Sequence, residues 1–188
     1  MSVLPILAYG DPVLKAKAKP IAKDHPGLDT IISDMWETMY KAGGVGLAAP
    51  QVGKSIRLFL IDANPYADEE PELKDFKKVF INARILEENG KDFSFNEGCL
   101  SFPGLREDIR RQPEIKLSYQ DENFNEYEEV FTGIKARIIQ HEYDHIEGVL
   151  MVDRITPLKK TLLRKKLQNI SKGNVSVDYL MRFPLRKR

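Results

Sequence analysis

The feature that most constrains this chain is the run His141-Glu142-Tyr143-Asp144-His145. On an α-helix, residues four apart stack on one face, so both imidazoles aim at one point. Glu142 is rotated by about 100° from His141 and sits beside that point. A carboxylate there takes a proton from water and hands it to a leaving group. With 3 histidines in 188 residues, chance produces this pattern about 0.004 times in a chain of such make-up. The plain alternative is a surface helix with two incidental histidines. Against it, Ile134 and Ile138 continue the same side of the helix back as an apolar wall, so that side is predicted to look inward. The third histidine, His25, stands in the turn Lys23–Gly27 and is assigned no chemistry.

A helix with ionisable groups on its inner side needs a body around it. A chain of 188 residues, 42% hydrophobic and 30% charged, makes one domain that buries about 70% of its unfolded surface. No apolar run approaches the roughly 18 to 20 residues of a spanning helix. The first residues lack the basic start and long apolar core of a signal peptide. A cytoplasmic location is therefore expected, and no membrane partner. The 29 basic and 28 acidic residues give a net charge of +1, so no overall field draws the chain to DNA. The single Cys99 rules out an intrachain disulfide.

Periodicity places the elements. Asp11-Pro12 starts a short helix to about Lys17. Leu28, Ile31, Ile32, Met35, Trp36, Met39 and Tyr40 form one apolar face of a helix between Gly27 and about Ala42, read as core. Strands are expected at 57–61, 79–85 and 93–95, with a solvated loop over 64–78. The alternating segment 114–119 is expected to pair with 126–131 as a hairpin. The motif helix opens at Thr132 and runs to about Ile146, with Gly148 beyond it. Thr156-Pro157 starts a last helix, about 157–171, with Leu158, Leu162, Leu163, Leu167 and Ile170 on its apolar side. Strands first and a helix laid against them predict an α+β domain. Antiparallel or mixed sheets pack around the motif helix, with a further helix near the C-terminus.

A catalytic metal site needs a third ligand and an open position. Downstream of His145 stand Glu147 and Asp153 but no histidine. Upstream, Asn96-Glu97-Gly98-Cys99-Leu100-Ser101 holds the only cysteine. Spacing alone leaves Cys99 open between a small buried hydrophobe and a thiolate ligand. The segment Gly44-Val45-Gly46-Leu47-Ala48-Ala49-Pro50-Gln51 lacks the Lys-Ser/Thr ending of a phosphate loop. It reads either as a tight connection packed under the sheet or as backbone exposed to a ligand, with Gln51 offering an amide.

In this order, Gly44–Gln51, Glu97–Ser101 and His141–His145 resemble the three motifs of the peptide deformylase family, with no departure at their fixed positions. The lead-in Leu4-Pro5-Ile6 and Tyr9–Leu14 is similar as well, so the resemblance runs from near the N-terminus to about Asp153. It implies hydrolytic removal of the formyl group from the N-terminal formyl-methionine of nascent polypeptides. It implies Cys99, His141 and His145 as metal ligands, with water in the fourth position and Glu142 as general acid/base. The Leu100 N–H and the Gln51 amide would stabilise the oxyanion, and the backbone of Val45 and Gly46 would pair with the substrate peptide. Glu97 and Arg106 match positions lining the site. Ile134 and Ile138, with Val45 opposite, are inferred to wall the methionine pocket. The resemblance implies Fe²⁺ as the working ion, with Zn²⁺, Ni²⁺ or Co²⁺ able to replace it.

Two rivals stand beside this reading. A zinc endopeptidase would need a ligand beyond His145, and a non-catalytic metal module would close its ion with four protein ligands. The charge is also split. Residues 157–188 carry ten Lys or Arg and one acid, Asp178, a net of +9, which leaves −8 for residues 1–156. The chain is accordingly divided into a catalytic domain, 1–173, and a basic tail, 174–188. The basic segment is either a solvated face or a dock for ribosomal RNA where the substrate emerges.

Overall fold

The computed structural model describes residues 2–185. The strands are β1 (Ile6–Leu7), β2 (Gly46–Ala48), β3 (Leu58–Asp62), β4 (Lys77–Asn89), β5 (Phe93–Gly98), β6 (Arg106–Arg111), β7 (Glu114–Gln120), β8 (Glu126–Thr132) and β9 (Met181–Arg182). The helices are α1 (Leu28–Lys41), α2 (Gly133–Glu147), α3 (Pro157–Leu162) and α4 (Arg164–Lys172). An antiparallel sheet has the order β2-β3-β4-β7-β8, β5 and β6 form a separate hairpin, and β1 pairs in parallel with β9. The α+β class, with antiparallel sheets around α2, is as the sequence predicts.

The sheet has a core on each face. Leu58 and Leu60 of β3 join Ile32, Met35 and Met39 of α1. Phe59 and Ile61 join Ala136, Ile139 and Ile146 of α2. Burial on both faces explains why β3 reads as an unbroken apolar run. β4 begins with Val79 and Ile81 toward α1 and Phe80 toward α2, but Ala83 also joins the α2 side. The swap occurs at Asn82, where φ is 54° and the register with β7 shifts. One extra residue in a strand re-aims everything after it. The Asn82 side chain secures the bulge, accepting from Ile21 N at 2.9 Å and donating to Ile21 O at 2.8 Å and Gln120 Oε1 at 2.9 Å.

Several expectations change. The helix from Asp11 is a single 3-10 turn, Pro12–Lys15. Tyr40, read as core, is 46% exposed. The last helix breaks at Leu163 into α3 and α4. Leu167 and Ile170 are buried, whereas Leu158 and Leu162 are 73% and 75% exposed. Gly173 is the C-cap of α4. Beyond it the chain packs back, with Ile6 N donating to Leu180 O and Ala8 N to Arg182 O, both at 2.9 Å. Residues 186–188 of the expected tail lie outside the described residues. No helix among the described residues is long and apolar enough to cross a membrane.

Candidate active site

α2 runs from Thr132 to a left-handed C-cap at Gly148, φ 73°. A Cβ at Gly148 would stand 2.6 Å from Lys15 O, so glycine is required by both backbone angle and room. This stop leaves His145 and Glu142 buried, 2% and 5% exposed, with His141 facing a cleft. The cleft encloses about 560 Å³ between α2, the 43–46 segment and the β5–β6 hairpin.

Cys99 follows the end of β5 and meets the two histidines there. One ligand atom from each of Cys99, His141 and His145 lies within 4.8 Å of the others. Cys99 Sγ is 3.3 Å from His145 Nε2. A thiolate and two imidazoles are a donor set for one divalent ion of the transition series. Beside them, Glu142 Oε2 is buried without a hydrogen-bond partner, so this wall of the cleft has an unmet polar demand. The residues present fit a metal ion.

The electrostatics separate the four groups. Burial works against charge on His141, but hydrogen bonds with Cys99 and Glu97 outweigh it and raise the imidazole well above its ordinary range. His145 is pushed well below that range by burial and by the nearby His141 and Arg111 cations, so it stands neutral. Burial drives the Glu142 carboxyl up to about 7, poised for proton transfer near neutrality. Glu97 is buried too, yet its bonds with His141 and Arg111 hold it far below the usual carboxylate range.

Glu97 does more than line the cleft. Its Oε2 is 2.9 Å from His141 Nδ1, which turns the other ring nitrogen toward Cys99. Arg111 grips Glu97 through two bonds of 2.7 and 2.9 Å and reaches Asp144 at 2.8 Å. Arg137 adds a bond to Glu97 at 3.0 Å, and Arg154 closes on Asp144. The sequence reading missed these arginines and left Asp144 without a role. On β6 the inward residues are Glu107, Ile109 and Arg111, and two charges among three hide the alternation.

The remaining predicted residues converge as well. Gln51 Nε2 donates to Ser101 Oγ at 3.2 Å and lies 3.6 Å from Cys99 Sγ, while its Oε1 accepts from Ala48 N at 2.9 Å. Leu100, Val45, Gly46, Ile134 and Ile138 line the cleft, and so does Arg106, held by Asn96 through bonds of 2.8 and 2.7 Å. β2 is an edge strand. Val45 O accepts from Asp62 N at 2.8 Å, and Gly46 stands opposite Ile61. A residue in that phase of an antiparallel ladder turns its N–H and C=O to the open edge. Val45 therefore brings its side chain, not its carbonyl, to the cleft.

Fold and site define a class: an α+β protein with a thiolate, two imidazoles and an adjacent buried carboxylate, the make-up of a metallohydrolase. The comparisons narrow it. The polypeptide deformylase family model matches residues 3–161. The chain is 55% identical to a peptide deformylase of Christiangramia forsetii, over 99% of this chain and 98% of that protein. It is 54% identical to one of Flavobacterium psychrophilum, over 99% and 100%. The crystal structure of a peptide deformylase from Legionella pneumophila superposes with a TM-score of 0.79 at 36% identity, covering 92% of this chain and 98% of that one. That of Thermotoga maritima gives 0.75 at 42% identity, covering 84% and 100%. The chain belongs to the polypeptide deformylase family and is a hydrolase.

Proposed function

We propose that this enzyme removes the formyl group from the N-terminal formyl-methionine of new polypeptides, releasing formate. The observation that carries the reading is the meeting of Cys99, His141 and His145 beside buried Glu142, next to the open edge at Gly46. Cys99, His141 and His145 would hold one divalent ion, Fe²⁺ in the cell, with Zn²⁺, Ni²⁺ or Co²⁺ in its place after purification. When bound, the ion supplies the Lewis acidity that activates water at neutral pH.

The chain's own groups do the rest. Glu142 accepts a proton from the attacking water and delivers it to the methionine nitrogen as the C–N bond breaks. Leu100 N–H and Gln51 Nε2 donate to the formyl oxygen as it gains charge. Glu97 keeps His141 oriented, and Gly46 pairs with the extended peptide as a strand added to the edge of β2. Ile134, Ile138 and the Val45 side chain surround the methionine thioether, a flexible group suited to an irregular apolar pocket. Arg106 stands at the rim.

Glu142→Gln tests this. The variant is expected to keep its metal and lose formyl-methionyl peptide hydrolysis by about 10²-fold or more, measured under anaerobic conditions with metal analysis alongside. Unimpaired turnover removes the assignment. Cleavage of internal peptide bonds in preference to the formamide would favour an endopeptidase instead.

The reading places the enzyme in the cytoplasm, with the basic C-terminal segment docking on ribosomal RNA. In that segment Lys159 pairs with Glu107 at 2.6 Å, Lys160 with Asp153 at 3.0 Å and Arg182 with Asp11 at 3.0 Å. Arg164, Lys165, Lys166 and Lys172 of α4 make no ion pair among the described residues, so they are the cations to reverse. Ribosome co-sedimentation at low salt that survives their reversal to Glu rules the docking out.

A further inference from the structure

We infer that Tyr179, between α4 and β9, is a positioning residue for the oxyanion site, acting through the carbonyl of Leu100. The inference rests on the proposed role of the Leu100 N–H.

The turn that carries Cys99 and Leu100 is held at three successive carbonyls. Phe102 N donates to Cys99 O at 2.9 Å and closes the turn on itself. Tyr9 N donates to Ser101 O at 2.9 Å, a main-chain bond from the segment after β1. The middle carbonyl, Leu100 O, accepts from the Tyr179 hydroxyl at 2.8 Å. Of the three, only this bond comes from a side chain, and only it comes from the C-terminal segment. The Leu100 N–H lies in the peptide plane of the Cys99 carbonyl, which Phe102 N holds, and the Leu100 carbonyl lies in the next plane; the two planes pivot on the Leu100 Cα, so the Tyr179 bond limits how far the first can turn against the second.

Tyr179 is itself fixed. Bonds to Leu180 O and Arg182 O anchor the strand beside it, and Leu185 N donates to Ser171 O at 3.0 Å. Its ring is half-buried in the α1-side core, which Leu100 also joins, and borders the cleft. The family model stops at residue 161, so this contact is made by chain outside the matched region. The one hydrogen bond of the Tyr179 hydroxyl among the described residues goes to the Leu100 carbonyl. Tyr179 acts through Leu100.

The test compares Tyr179→Phe, which removes only the hydroxyl, with Tyr179→Leu, which also removes the ring, in the full-length metal-loaded enzyme. Kinetics on a formyl-methionyl peptide, melting temperature, metal content and inhibition by the deformylated product are measured together. For Tyr179→Phe, kcat is expected to fall about 10-fold with KM within about 2-fold, because the hydroxyl aims a donor used mainly in the transition state. Metal content should stay at the wild-type value, and so should product inhibition, since the product has no formyl oxygen; the melting temperature should fall less than in Tyr179→Leu. Tyr179→Leu should melt lower while losing no more kcat than the Phe variant. Wild-type kcat in Tyr179→Phe, or a loss seen only with Tyr179→Leu or only with metal loss, overturns the inference. A wild-type enzyme that does not deformylate refutes the functional reading instead.

Discussion

Gly46 and Glu142 show how closely the proposed general acid/base is fitted to the sheet edge. A Cβ on Gly46 would lie within 2.9 Å of three atoms of the Glu142 side chain. Gly46→Ala is therefore expected to push the carboxylate aside. Displacing a reacting group by about 1 Å costs on the order of 10²-fold in rate, so kcat/KM should drop by that order. Far-ultraviolet circular dichroism should not change, because Gly46 sits in an edge strand with ordinary backbone angles. Wild-type turnover by this variant would mean that Glu142 has room to spare. The glycine is visible in the sequence, but its reason is not: Gly46 and Glu142 are neighbours only after α2 crosses behind β2.

At the scale of the element, α2 is the most legible part of the chain, and its C-terminal end explains how it stays in place. Glu147 binds Arg57 at 2.7 Å and Lys17 at 2.8 Å, tying the last turn of α2 to the start of β3 and the N-terminal segment. Arg57 is buried and also donates to Ala83 O at 2.6 Å. Burial opposes charge on Glu147, but Lys17 and Arg57 outweigh it and hold the carboxyl below its ordinary 4.5. A carboxyl depressed in the folded state stabilises fully above its unfolded value and loses that contribution as pH falls through its folded value. Glu147→Gln should thus lower the melting temperature at neutral pH and flatten its decline below about pH 4.5. An equally steep decline in the variant would assign the acid sensitivity to other groups, Asp153 with its Lys15 and Lys160 partners being next. Elements with clean periodicity, α1 and the β7–β8 hairpin, are readable because one face is apolar and the other is not. β1 and β9, two residues each, are too short to carry a period and exist only as each other's partner.

Across the whole molecule, Arg111 links the parts of the site. It joins Glu97 on β5 to Asp144 on α2, and through Glu97 it reaches His141, all within a region where Arg111 is 3% exposed. Removing one member of a buried ionic cluster leaves charges without a partner, which costs about 3 to 5 kcal/mol. Arg111→Leu is expected to destabilise by that order in urea unfolding, and to weaken metal retention by loosening His141. A loss below about 1 kcal/mol would show that Arg137 and Arg154 can neutralise both carboxylates alone.

The sequence by itself determined which chemical groups the site holds. Two histidines and a glutamate at helical spacing, one cysteine and two glycine-containing segments name the groups, because ligand type and helix period are local properties. Only the tertiary structure decided how they meet. Cys99, open by spacing between core and ligand, is brought to the two histidines by the turn after β5. The arginines that stabilise the site look in sequence like any solvated charge. The segment beyond residue 173, which reads as a tail, returns to the N-terminal strand and sets Tyr179 against Leu100. Burial and long-range pairing belong to the assembled chain, and no period along the sequence encodes them.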